Sequence, residues 1–175
     1  MEIWRRGSIA VGVFGMGGFT RAVGLALVLL GPAALDALAH GDVTPHSVDT
    51  TGLPPLGKQW VMSHPYRGNA KAVAAGAIGY LHNCAGCHGL NAEAGGMAPD
   101  LLLVAKDCVD MASQKLQAEC FKDTDDYFKG IVLEGKKNGE GRETMPSYSA
   151  VFTQEAVWAI KAYLDQRTAD ETKSK

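Results

Sequence analysis

The sequence predicts an all-α domain with long loops, and three observations predict it. No stretch alternates apolar and polar residues with period two, three stretches carry apolar residues at helical spacing, and the segments between them, such as 89–100 and 136–149, are long and rich in glycine. Loops of that length are rare in a compact domain that packs only on its own side chains. They call for something else to pack upon.

The chain has 175 residues, enough for one ordinary domain behind a leader. Met1–Ala39 reads as a signal peptide: Arg5, Arg6 and Arg21 form a basic region, the run from Ala22 to Leu35 is apolar, and Ala37-Leu38-Ala39 is the small-x-small pattern that signal peptidase accepts. An uncleaved membrane anchor is the weaker reading, because fewer than about 18 uninterrupted apolar residues rarely make a stable span, and Pro32 and Asp36 interrupt this one. Met16 offers a later translation start at a more usual distance from the apolar run. Cleavage after Ala39 leaves His40 as the first residue, whose amine and ring could hold a metal, but nothing else in the next segment completes such a site. It also takes two acidic and three basic residues from the 19 and 17 of the whole chain, which leaves a net charge of −3. That balance argues against a nucleic-acid partner.

His40–Gly68 is Gly, Pro, Thr, Ser and His with scattered apolar anchors at Leu53, Leu56, Trp60, Val61 and Tyr66. Pro54, Pro55 and Pro65 forbid a continuous helix, while Trp60 and Tyr66 are larger than a disordered tail usually carries. An extended arm wrapped over the core is expected. Asn69 then caps a helix whose apolar residues are Val73, Ala74, Ala77, Ile78 and Leu81. The small residues Ala72, Ala75 and Gly76 allow another helix to come close. Leu101–Val104 reads as buried, and a short polar helical piece is expected between Ala112 and Glu119. Thr124 is placed to cap a further helix from Asp125 to Glu134, with Tyr127, Phe128, Ile131 and Val132 apolar and Gly135 as its stop. Thr153 opens the last helix, with Ala156, Val157, Ile160, Tyr163 and Leu164 as its buried stripe. From Thr168 the charged tail, residues 169–175, is expected to fray.

Cys84-Ala85-Gly86-Cys87-His88 is the strongest signal in the chain. Two thiols at that spacing reach the two vinyl groups on one haem edge through thioether bonds, and the histidine after the second thiol falls against the iron. A thioredoxin-like dithiol would need a preceding strand and a βαβ context, which the sequence lacks. A structural zinc needs four ligands, and the remaining cysteines, Cys108 and Cys120, match no usual knuckle spacing. Haem c is attached to an unfolded chain after export, so the twin-arginine route hinted at by Arg5-Arg6 is set aside.

The second axial ligand comes from elsewhere, with Met62, Met97, Met111, Met145 and the histidines 40, 46, 64 and 82 as candidates. His82 lies too near His88 along one helix to reach the opposite face. Met97 follows in the loop that must first pass the histidine side. Met145 is favoured: it lies in a glycine-bounded loop between two helices, and Pro146 holds it extended. A neutral thioether opposite an imidazole is an established pairing.

The residues between Asn69 and Arg167 resemble the class I cytochrome c family. Gly76 and Tyr80 look like that family's glycine-aromatic pair on the first helix, Ile160 and Tyr163 like its partners on the last, and Pro99 like the proline whose carbonyl accepts a hydrogen bond from the haem histidine. The HGDVTP start of the arm, Pro65-Tyr66-Arg67-Gly68-Asn69-Ala70, the GGMAPDL stretch and Thr124-Asp125-Asp126-Tyr127-Phe128 further resemble the PedF-type cytochromes c. The resemblance implies a class I fold in residues 69–168 around one covalent haem c. It also implies a PQQ-dependent alcohol dehydrogenase as electron donor, and a terminal oxidase or another cytochrome as acceptor. Cys108 and Cys120 are an even pair in an oxidising compartment, where a disulfide is expected. Closing that loop would stabilise by about 3 kcal/mol in the chain-entropy model.

With both axial positions filled by protein, no site is left for a substrate. The chain reads as a periplasmic, monomeric one-electron carrier without stable membrane insertion, not an enzyme. Two alternatives compete: a haem enzyme with a labile sixth ligand, peroxidase-like or gas-binding, and a fixed cytochrome subunit of another oxidoreductase. Lys129, Lys136, Lys137 and Arg142 lie near Met145 and could steer an acidic partner, although Glu134, Glu140 and Glu143 interleave with them.

Overall fold

A computed structural model describes residues 44–94 and 97–174. The segment expected to be a signal peptide, residues 1–39, and His40 lie outside the described residues. The elements are α1 (Ala70–Asn83), α2 (Ala85–His88), a 3₁₀ turn (Leu102–Val104), α3 (Lys106–Val109), α4 (Gln114–Glu134), β1 (Lys136–Lys137), β2 (Glu143–Met145) and α5 (Gln154–Lys173). The domain is mostly helical, as expected. β1 and β2 add a small antiparallel ribbon where the sequence indicated only a loop.

α1 begins where Asn69 accepts hydrogen bonds from the amides of Lys71 and Ala72, the cap its short carbonyl side chain suits. Its buried face differs from the expected one. Ala72, Gly76, Gly79 and Tyr80 face inward, whereas Ile78 and Leu81 are 60 and 53% exposed. The reason is the crossing with α5. A Cβ on Gly76 would collide with the Ala159 carbonyl, and one on Gly79 would press on Val48 and Ile160. Only the small-residue face admits so close a contact, and the bulkier apolar face is turned out.

Cys84 separates α1 from α2, so His82 and His88 stand on different helices. α4 corrects a second expectation. Instead of a short piece followed by a helix capped at Thr124, one helix runs unbroken from Gln114, with Ser113 as its cap. The Thr124 hydroxyl donates to the Phe121 carbonyl at 3.0 Å inside the helix, satisfying itself as threonine can without starting a new one. Of the acidic residues beside it, Asp125 serves a tertiary contact: it is buried and pairs with Arg67 at 2.7 Å and Lys161 at 3.2 Å, while Asp126 pairs within the helix with Lys129. A disulfide joins Cys108 of α3 to Cys120 of α4, with Cα atoms 5.6 Å apart. Of Leu101–Val104 only Leu102 is fully buried.

α5 opens at Thr153, whose hydroxyl accepts from the Ala156 amide. It does not fray at residue 169 but continues to Lys173. Buried Thr168 donates to the Leu102 carbonyl at 3.2 Å, which fastens that end to the 3₁₀ turn. The helix is buried on nearly every side: Ile160 and Leu164 join one core cluster, Trp158, Ala159 and Ala162 another.

Residues 44–69 contain no helix or strand and lie against the helices. The amides of Leu56 and Val61 donate to Glu155 and Gln154, and the Gln154 amide group donates to the carbonyls of Gly57 and Gln59. Leu53 and Tyr66 are buried, but Trp60 is 37% exposed. His64 stacks on Trp158 with ring centroids 5.4 Å apart. Burial, with Arg67 and Lys161 nearby, pulls its pKa down to about 3.

Replacing Gly76 by alanine is expected to cost about 1–3 kcal/mol, the usual penalty of overpacking, read from urea unfolding of the haem-loaded protein. His64 has a folded pKa far below its ordinary 6.5, so the stabilisation it carries as a neutral ring is complete above pH 6.5 and is lost as pH falls towards 3. His64→Gln should therefore flatten the stability curve between those limits; a curve as steep as the parent's would refute this account.

Candidate functional site

Cys84, Cys87 and His88 are brought together by a single turn of chain. The Cys84 carbonyl accepts from the amides of Cys87 and His88 at 3.1 and 2.9 Å, and all three side chains line one cavity of about 240 Å³. Both cysteines are half-buried and unbonded, and His88 is buried. Phe128, Ile131 and Val132 of α4 and Ile160 and Leu164 of α5 supply its apolar walls.

His88 Nδ1 lies 2.8 Å from the Pro99 carbonyl. A carbonyl only accepts, so Nδ1 carries the proton and Nε2 keeps its lone pair for a metal. Met145 lines the same cavity, as does Met97, which is 68% exposed and two residues before Pro99 in sequence. Met62 and Met111 do not line it. His64 is buried against Trp158, and His46 and His82 form an exposed ring pair with centroids 6.4 Å apart.

Met145 owes its place to the end of α4. Gly135, at φ 71°, stops that helix, and a Cβ there would lie 2.6 Å from the Met145 carbonyl. Glycine lets the returning chain pass this close. The Tyr148 amide then donates to the otherwise open Val132 carbonyl at 3.0 Å. β2 pairs with β1 so that Met145 stands opposite Lys136.

Two phenols hold the ends of the cysteine-histidine turn. Tyr80 donates to the Gly89 carbonyl at 2.6 Å and Tyr148 to the Asn83 carbonyl at 2.7 Å, and burial raises both pKa values. The Tyr80 ring also meets Tyr163 at 5.2 Å. Tyr148 was missed by the sequence reading. Its only signal was Phe152 four residues later, an aromatic pair at helical spacing that stacks with it at 4.6 Å.

The electrostatics separate the chemistries open to this motif. Redox-active dithiols have lowered thiol pKa values, whereas burial and Cys87 push the Cys84 thiol up to about 12. A zinc site lacks ligands: Cys108 and Cys120 are bonded to each other, and among the described residues no group of three or more His, Cys, Asp or Glu side chains is placed to hold a metal ion.

Residues 71–164 match the family described as cytochrome c oxidase, cbb3-type, subunit III. The chain is 43% identical over 139 residues to cytochrome c550 of Pseudomonas aeruginosa, covering 77% of this chain and 86% of that one. The chain belongs to the cytochrome c family. This makes it a monohaem electron carrier with a covalently bound haem c. It is also 33% identical over 99 residues to the quinohemoprotein alcohol dehydrogenase ADH-IIG of Pseudomonas putida, a match that spans 57% of this cytochrome and 11% of the enzyme. No solved structure matches.

The cavity fits a haem c by its donor set: two thiols, an imidazole with a free Nε2 and a thioether border one apolar space. Tyr148→Phe removes the donor to the Asn83 carbonyl and is expected to cost about 1 kcal/mol, or more if that carbonyl stays dry. Thermal unfolding of the loaded protein measures it.

Proposed function

We propose that this cytochrome is an exported, periplasmic one-electron carrier in which Cys84 and Cys87 bind one haem through thioether bonds and His88 and Met145 hold its iron. The observation that carries the reading is the convergence of these four side chains on one apolar cavity, with His88 Nδ1 already engaged by Pro99. When bound, the haem supplies a one-electron iron couple, which a methionine-histidine pair sets at a high potential.

The protein's own part is positional. The Pro99 carbonyl fixes the His88 ring and its tautomer. Phe128, Ile131, Val132, Ile160 and Leu164 exclude water, and the close pass of Met145 by Gly135, with its pairing to Lys136, keeps the thioether at the cavity. Two protein ligands leave no position for a substrate, which separates this carrier from a peroxidase-like or gas-binding haem enzyme. Among the described residues no helix is long and apolar enough to cross a membrane. Export rests on the leader pattern of residues 1–39.

A PQQ-dependent alcohol dehydrogenase is the proposed donor, on the resemblance of the arm and the GGMAPDL stretch and on the likeness to part of a quinohemoprotein alcohol dehydrogenase. A terminal oxidase or another cytochrome is the proposed acceptor. A two-electron quinol donor needs two encounters, because one haem takes one electron. Each encounter calls for a small, transient interface. Lys129 pairs with Asp126 and Arg142 with Glu140, so steering of an acidic partner falls to Lys136 and Lys137, which have no ion-pair partner among the described residues.

Stopped-flow mixing with a reduced quinoprotein alcohol dehydrogenase should reduce the iron rapidly, more slowly at high salt; no reduction would remove the donor while sparing the carrier. Met145→Ala should abolish the thioether-to-iron band at the red end of the oxidised spectrum. It should also lower the ferrous preference at least tenfold, about 59 mV for one electron. An unchanged band would show that another residue binds the iron.

A further inference from the structure

Haem c carries two propionate side chains, ionised at neutral pH, and the cavity proposed for it is lined mainly by apolar residues. A carboxylate taken from water without a partner is costly, so the cavity must offer donors where these groups lie. Most polar side chains lining it are already engaged. The Asn83 amide donates to the Gly79 carbonyl and accepts from the His46 amide. Tyr148 donates to Asn83, and the Thr144 hydroxyl donates to the Lys136 carbonyl at 3.2 Å. Asp100 accepts from the Leu102 amide at 2.8 Å, and its like charge keeps a carboxylate away. The ammonium and hydroxyl donors that remain without a partner among the described residues are Lys136 and Tyr127.

Among the described residues Lys136 is the sole lysine or arginine lining the cavity. Its position is set by the same device that sets Met145. It follows the Gly135 stop, stands opposite Met145 in the ribbon and receives the Thr144 hydroxyl on its carbonyl. Tyr127 lies on α4, lines the cavity and is 58% exposed. Both are therefore open-side residues, where propionates keep part of their hydration.

We infer that Lys136 and Tyr127 form the seat for the haem propionates, and that the Lys136 ammonium, by offsetting their charge, holds up the potential of the iron. The inference rests on the haem reading above and goes beyond it by naming two positioning residues that would hold the carboxylates of the group and not its iron. A cation near the haem disfavours the ferric state, which has one more positive charge. Removing it favours oxidation. Lys137 carries the same charge one residue away without lining the cavity, so it separates a seat from a general surface charge.

Lys136→Gln, Lys136→Arg, Lys137→Gln and Tyr127→Phe are to be made as haem-loaded proteins and titrated potentiometrically. Lys136→Gln should lower the ferrous-to-ferric ratio at fixed ambient potential threefold to tenfold, roughly 30 to 59 mV for one electron. Lys136→Arg should restore most of it, and Lys137→Gln should leave it near the parent value. The propionate bending band in the resonance Raman spectrum should move in Lys136→Gln and Tyr127→Phe and stay in Lys137→Gln. A coloured Lys136→Gln with a potential and Raman band matching those of Lys137→Gln overturns the inference and leaves the haem reading standing. A parent protein that carries no covalent haem removes the reading itself.

Discussion

The backbone contact between α1 and α5 is the constraint on which the rest depends. At Gly76 the first helix meets the Ala159 carbonyl with no side chain between them. That contact fixes how far the end of α1, and with it Cys84, Cys87 and His88, stands from Ile160 and Leu164. With a side chain at the crossing, the wall that carries the cysteines would stand off from the wall that closes the apolar space. Tyr80 and Tyr163 fill the groove beside the crossing, so the helices are held both by what is missing at one position and by what is present at the next.

α5 has two jobs on opposite sides. Ile160 and Leu164 border the cavity lined by Cys84, Cys87 and His88, while Trp158, Lys161 and Asp165 belong to a buried polar cluster with His64, Arg67 and Asp125. Two acids and two bases there balance in charge, and the neutral histidine adds none. Isolated, any of these charges would be costly to bury. Together they fasten three stretches distant in sequence, the segment before α1, the middle of α4 and the middle of α5. Almost no face of α5 meets water, which is why its buried set exceeds the stripe its apolar spacing indicates.

Much of this was legible in the chain and some was not, for identifiable reasons. The cysteine-histidine turn, the caps at Asn69 and Thr153 and the stop at Gly135 depend on local chemistry, and local chemistry shows in sequence. The buried face of α1 did not, because the helix carries apolar residues all round and only the partner decides which of them turn inward. Small size outweighed hydrophobicity there, since Gly76 and Gly79 are buried and Ile78 and Leu81 are not. Thr124 with its acidic neighbours reads as a helix start, but Asp125 answers to Arg67 and Lys161, 58 and 36 residues away. The tie from Tyr148 to Asn83 joins residues 65 apart, and no local pattern announces it.

Between His46 and Val61 the segment before α1 meets the helices through main-chain hydrogen bonds as well as through buried Leu53. The amides of His46, Leu56 and Val61 and the carbonyls of Gly57 and Gln59 meet side chains of Asn83, Glu155 and Gln154. Every amino acid but proline offers the same amide, so the identities of these five residues are loosely constrained by docking. The receiving positions Asn83, Gln154 and Glu155 are not free in that way, since a shorter or apolar side chain there has nothing to give. Variation among related chains should therefore gather along the strap and avoid its moorings.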